Sequence, residues 1–217
     1  MSKYEYVNKN EYRPVREKLE DIIKKAQKIL KQNDTGITFQ YELIGSGSKH
    51  LITRVKGGNK GFDFDYNLIL NCEEGHYWKP KYARQEVTKA IDEAIKGTKY
   101  DHPQNSAVAI TIKVKNTKQS KIIHSCDFAV VYYPNENSDE HKYVHLNTST
   151  NQYTWEIRKY TKNYRDKLDW LKESVDGYWD EIKEEYLKLK NNNKDPNKRS
   201  FQLFYETINN VFNNNQH

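Results

Sequence analysis

Three aspartates of this chain lie among strand-forming residues, where a charge has no structural reason to be. Asp63 and Asp65 belong to the run FDFDYNLIL. The two-residue period of a strand places both carboxylates on one face, with Phe62 and Phe64 on the other. Like charges at that spacing repel, and a divalent cation between them removes the cost. Hard oxygen ligands of this kind suit magnesium or manganese. Asp127 is embedded in the same way in KIIHSCDFAVVYY, and if the two strands adjoin, three carboxylates meet at one spot. Upstream, Gly45-Ser46-Gly47-Ser48-Lys49 closes an earlier strand. Glycines let backbone approach an anion, N–H groups in such a turn form a hollow for phosphate oxygens, and the hydroxyls and Lys49 add donors. Each part has a plain alternative: a surface turn, an edge strand with solvent-facing aspartates, or an Asp127 paired with a lysine or arginine. Their joint order is what chance rarely supplies.

The elements that must position these residues are legible in outline. Apolar residues at helical spacing from Val15 to Leu30 predict an amphipathic helix ending near Asn33. TGITFQYELIG alternates as a strand and stops at Gly45, LITRV reads as a short extended piece, and KGGNKG is a turn leading into FDFDYNLIL. Pro80 opens a helix that runs to the stop signal at Gly97. SAVAITIKV and KIIHSCDFAVVYY predict two further strands. From about Trp155 the pattern predicts helices: a long one through Tyr164 to Leu189, a break at 191–197, and a last one over SFQLFYETINNVF. The expected fold class is α+β, a mixed or antiparallel sheet with flanking helices and a short C-terminal helical segment. The expected division is a core over 1–150 and a helical segment over 151–217 packed on it.

Length and composition narrow the field. The 217 residues suffice for one domain with a small helical appendage. Lysine and arginine exceed aspartate and glutamate by six, a lean toward an anionic partner. No run approaches the roughly 20 apolar residues of a membrane helix, and the opening MSKYEYVNKNEYRP has no apolar core of a secretory signal. A cytoplasmic protein with no membrane partner is expected. Cys72 and Cys126 are too few for a disulfide framework and read as free thiols, Cys126 facing the core. The seven histidines form no HExxH motif, which argues against zinc; His50 and His124 read as satisfied polar side chains.

Taken together, Ile44-Gly45-Ser46, Asp63-Phe64-Asp65 and Asp127 with its apolar neighbours resemble the signature of the DNA polymerase β-type nucleotidyltransferase superfamily, over about residues 35–135. PKYARQEV resembles the arginine-containing helix of the oligoadenylate synthase and cyclic-oligonucleotide synthase branch. Lys183 and Ser200 are similar to the lysine and the Ser-x-x-Leu helix with which that branch clamps a triphosphate. The resemblance implies the corresponding sheet and transfer of an NMP from an NTP, ATP for preference, to an acceptor hydroxyl with release of pyrophosphate. Asp63, Asp65 and Asp127 would be catalytic and would hold two ions, Mg2+ or Mn2+; Gly45, Ser46, Lys49, Lys183 and Ser200 would bind nucleotide. The product would be a nucleotide signal, or instead a nucleotidylated small molecule, tRNA or protein; a non-catalytic nucleotide or nucleic-acid binder of the same fold is the remaining alternative. Two departures stand out. The interval from Ser46 to Asp63 is long, with Gly57, Gly58 and Gly61 suggesting a hairpin-like insertion, and the chain stops at His217, about where that branch continues into more helices. A long nucleic acid acceptor is therefore not favoured.

Overall fold

The computed structural model describes residues 3–72, 78–134, 140–159, 164–195 and 197–216. In chain order the elements are β1 (Tyr4–Tyr6), α1 (Lys9–Gln32), β2 (Phe39–Ile44), the single turn α2 (Gly45–Ser48), β3 (Thr53–Val55), β4 (Phe62–Leu70), α3 (Pro80–Ala94), β5 (Gln104–Asn105), β6 (Ile110–Asn116), β7 (Lys121–Tyr132), β8 (Glu140–Asn147), β9 (Gln152–Lys159), α4 (Arg165–Ser174), α5 (Tyr178–Asn192) and α6 (Ser200–Asn215).

The expected α+β fold with a mixed sheet is present. Among the described residues the sheet has seven strands, running β2, β4, β7, β6, β5, with β8 joining β7 and β9 joining β8; β1 and β3 form a separate antiparallel pair. Strand β4 is antiparallel to β2 and parallel to β7. A parallel pair needs a long crossover, and α3 lies within this one. The alternation of β4 decides which face is which. Phe62, Phe64, Tyr66, Leu68 and Leu70 are buried in one cluster with Leu19, Ile22 and Ala26 of α1 and Ala83, Val87 and Ile91 of α3. Each large apolar side chain so buried contributes about 1.5–3 kcal/mol against exposure. The helices take that face and leave Asp63 and Asp65 on the other. Cys126 is fully buried on the helix side, a free thiol as expected.

Several elements differ from the sequence expectation. α1 begins at Lys9, a turn and more before Val15, because the Asn8 side chain accepts a hydrogen bond from the Asn10 amide and caps the helix. Trp155 lies in a strand, not a helix: β8 and β9 pair antiparallel from Glu140↔Lys159 to Asn147↔Gln152. The anticipated long helix is two helices, α4 and α5, broken where Gly177 takes φ +72°. A second apolar cluster joins Leu171, Ile182, Tyr186, Leu203, Phe204 and Ile208 with Leu51 just beyond α2. The β1–β3 pair is tied to α5: the Tyr6 hydroxyl donates to the Lys183 carbonyl at 2.8 Å, and the Asn191 side chain accepts from the Tyr4 amide at 2.6 Å. Among the described residues no helix is long and apolar enough to cross a membrane.

Candidate active site

Register brings the acidic residues together. Asp65 stands opposite Asp127 across the parallel β4–β7 pair, Ile44 opposite Asp65 on one side, and Thr111 opposite Asp127 on the other. One row thus crosses four strands as Ile44, Asp65, Asp127 and Thr111. One step along the strands, Asp63 faces Ser125. A carboxylate oxygen from each of Asp63, Asp65 and Asp127 lies within 4.8 Å of the other two.

The three side chains are partly buried, and among the described residues no ion pair reaches them. Among the described residues no lysine or arginine lies within ion-pair distance of Asp127, although the buried Arg84 guanidinium feels its charge. Asp127 Oδ1 instead accepts a hydrogen bond from the Thr111 hydroxyl at 2.5 Å, and Asp63 Oδ1 accepts one from the Ser125 hydroxyl at 2.8 Å. Burial, and then the neighbouring carboxylates, push the Asp63 carboxyl up to about 7; the Ser125 hydroxyl and the Phe64 amide pull the other way and do not prevail. Burial and Asp127 push Asp65 up to about 6. Concentrated negative charge from hard oxygen donors is what a divalent cation relieves, so the residues present fit Mg2+ or Mn2+.

The expected glycine turn is a single helical turn. Gly45 takes φ +64°, and a Cβ there would stand 2.8 Å from Asp65 Oδ2, so the turn carrying Ser46 lies directly against the Asp65 carboxylate. Gly47 is buried against Leu43 and Phe64. The Ser48 hydroxyl donates to the Gly45 carbonyl at 3.0 Å. Lys49 folds back over the turn, its Nζ 3.4 Å from the same carbonyl and 5.2 Å from the centroid of the Phe204 ring in α6. Burial lowers its pKa; Glu42 opposes that and the Arg165 guanidinium adds to it.

Lys183 lies on α5 and Ser200 on α6. Lys183 Nζ is held by Asp180 at 2.8 Å on its own helix. Ser200 opens α6, its hydroxyl 3.4 Å from Lys190 Nζ, a half-buried lysine that also reaches the Thr53 hydroxyl at 2.7 Å and lies over the rings of Tyr4 and Tyr186. Among the described residues no hydrogen bond or ion pair joins Lys183 or Ser200 to the aspartates or to the Gly45–Lys49 turn. Arg84 of the PKYARQEV helix is fully buried, its Nε donating to Asn105 Oδ1 at 3.0 Å and one terminal nitrogen to the Ser106 carbonyl at 3.3 Å. His50 and His124 bond Tyr12 and Tyr100 through one ring nitrogen each, and the second nitrogen of His124 is buried without a partner.

Sequence reasoning missed the far wall. Beside Asp65 and Asp127 a cleft of about 100 Å3 is closed by Val108, Ala109, Tyr143 and Arg158. The Arg158 guanidinium lies 4.7 Å over the Tyr143 ring, whose hydroxyl donates to Glu156 at 2.8 Å. Recognising β8 and β9 as strands would have put Tyr143 and Arg158 in the sheet. A larger hollow of about 650 Å3, at the C-terminal end of α3, shares none of these residues.

No family model and no curated protein matches the sequence. Solved structures match the fold. The cyclic AMP-GMP synthase DncV of Vibrio cholerae in complex with nonhydrolyzable GTP is similar with a TM-score of 0.60 at 11% identity, over 94% of this chain and 66% of that one. Its complex with the linear intermediate 5′ pppA(3′,5′)pG gives 0.55 at 14% identity, over 81% and 45%. Its 3′-deoxy ATP bound form gives 0.56 at 13%, over 95% and 53%. This chain thus has the DncV-like nucleotidyltransferase fold that the acidic motif implied, and spans about half the length of the solved proteins it matches.

Proposed function

We propose that this protein is a metal-dependent nucleotidyltransferase that moves an NMP from an NTP, ATP for preference, to an acceptor hydroxyl with release of pyrophosphate, and that its product is a nucleotide signal. The observation that carries this reading is the convergence of Asp63, Asp65 and Asp127 within 4.8 Å on the open face of the sheet. These carboxylates would hold Mg2+ or Mn2+, two ions by the resemblance. Bound there, the cation supplies neutralising charge to the triphosphate and makes a hydroxyl more acidic.

The roles of the protein's own groups follow from their places. The Gly45–Ser46 turn, packed on Asp65, would bind the β- and γ-phosphates, with Lys49 at its far side. Lys183 and Ser200 would extend that pocket through α5 and α6. Lys183 would first have to leave Asp180, whereas Ser200 already stands beside Lys190. Asp127 opens onto the cleft walled by Tyr143 and Arg158, where an acceptor hydroxyl would enter and give its proton toward the Asp127 carboxylate. A guanidinium resting on a ring favours a planar or anionic acceptor such as a second nucleotide. Residues 1–150 would carry the catalytic core and 151–217 the segment that completes it, β9 contributing Arg158. The DncV structures with GTP, with 3′-deoxy ATP and with a linear dinucleotide intermediate support this reading by their fold.

The test is incubation with each α-labelled NTP and Mg2+ or Mn2+, following pyrophosphate and labelled product. Transfer lost in Asp63→Asn with Asp65→Asn is the expected result; transfer unchanged in that double variant overturns the site.

A further inference from the structure

The three carboxylates are not positioned alike. Asp65 is bounded by the bare Cα of Gly45. Asp63 and Asp127 are each tied at Oδ1 by a hydroxyl from a directly opposed residue of the neighbouring strand, Ser125 on β7 and Thr111 on β6. Both hydroxyls lie on the acidic face, each on the side of its carboxylate that looks toward β6. The donor type matters. A lysine or arginine at either position would neutralise the carboxylate and compete with a cation, whereas a neutral hydroxyl fixes one oxygen and leaves the charge intact. Thr111 is branched at Cβ, so its hydroxyl direction is set by the strand rather than by a mobile chain. Loss of a group that orients a ligand oxygen before the ion arrives typically weakens metal binding about 10–100-fold.

We infer that Thr111 and Ser125 are positioning residues for the metal site, holding Asp127 and Asp63 in the rotamers that leave their second oxygens aimed into the cluster; this rests on the metal-dependent reading above. Thr111→Val keeps the shape and strand preference of the side chain and removes only the donor, and Ser125→Ala removes the donor that holds Asp63.

The experiment is a titration of the full chain with Mn2+ alone, without nucleotide, reading free Mn2+ by electron paramagnetic resonance, alongside thermal melts of the metal-free proteins. Thr111→Val and Ser125→Ala are each expected to weaken Mn2+ binding about 10-fold or more, and Thr111→Ser to restore it. Asp63→Asn is expected to abolish it. Wild-type affinity in both hydroxyl variants, with binding still lost in Asp63→Asn, overturns the inference and leaves the metal reading standing. Absence of Mn2+ binding sensitive to Asp63→Asn in the wild-type background overturns both. A simple packing role for Thr111 would lower the melting temperature without moving the Mn2+ affinity, which also overturns it. Should Thr111→Val fail to fold, Ser125→Ala and Thr111→Ser decide by the same readout.

Discussion

Gly45 is packed so closely on Asp65 that a Cβ on the glycine would stand 2.8 Å from a carboxylate oxygen of the aspartate. Gly45→Ala must therefore both adopt φ +64° with a side chain, at about 1–2 kcal/mol, and displace the Asp65 carboxylate. The expected result is a lower melting temperature together with weakened Mn2+ binding and lost transfer. Gly57→Ala, also at positive φ but with nothing within 4 Å of its Cβ, is the control: it should lower stability without affecting the metal.

The acidic cluster makes metal-free stability fall with pH. Asp63 and Asp65 titrate near 7 and 6 in the folded chain, against about 3.9 when unfolded. Between those values the folded state holds more protons, so stability declines as pH rises from about 4 to about 7. Metal displaces those protons. Melting curves should show Mg2+ or Mn2+ raising the transition more at pH 8 than at pH 5, and Asp63→Asn should flatten the metal-free pH profile.

Arg158 tests the acceptor side separately from the donor side. Its substitution by alanine leaves the carboxylates and the Gly45 turn untouched. Steady-state kinetics should show the acceptor KM raised about 10-fold or more, the loss of about 1.4 kcal/mol or more of binding, with the donor KM nearly unchanged. An equal effect on both would mean that Arg158 does not discriminate between the two substrates.

Arg84 is buried, and one of its terminal nitrogens has no partner. Burial lowers its pKa to about 10, against the pull of Tyr153 and Asp127. A buried cation whose hydrogen bonds go to an amide oxygen and a carbonyl, with no carboxylate in ion-pair contact among the described residues, is poorly compensated. Arg84→Met should be neutral or stabilising in denaturant titrations, whereas Arg84→Ala, which leaves a cavity, should cost about 2–5 kcal/mol.

The acidic half of the site could be read from the chain because it follows local rules. Period-two alternation put Asp63 and Asp65 on one face, and apolar neighbours marked Asp127 as out of place. What local rules cannot give is that β4 and β7 pair in parallel with Asp65 opposite Asp127, a matter of tertiary register. The polar edge hairpin of β8 and β9 carried too little apolar periodicity to be read as strands, so Tyr143 and Arg158 went unseen. Thr111 and Ser125 are ordinary strand residues until their opposed partners are known. Gly177, mid-run in an otherwise helical pattern, broke the expected long helix because it sits left-handed. The weakest motif reading, Lys183 with Ser200, rested on lysines in a chain full of them; that Lys190 also stands beside Ser200 follows only from the packing of α5 on α6.

The parallel β4–β7 pair has a kinetic side. Asp63 meets Ser125 across 62 residues of chain, with α3, β5 and β6 in between. No local segment can assemble the acidic cluster, and loop closure over that distance is paid late in folding. Metal uptake should therefore lag behind helix formation in refolding, and a nascent chain released before β7 would carry two aspartates but no completed site.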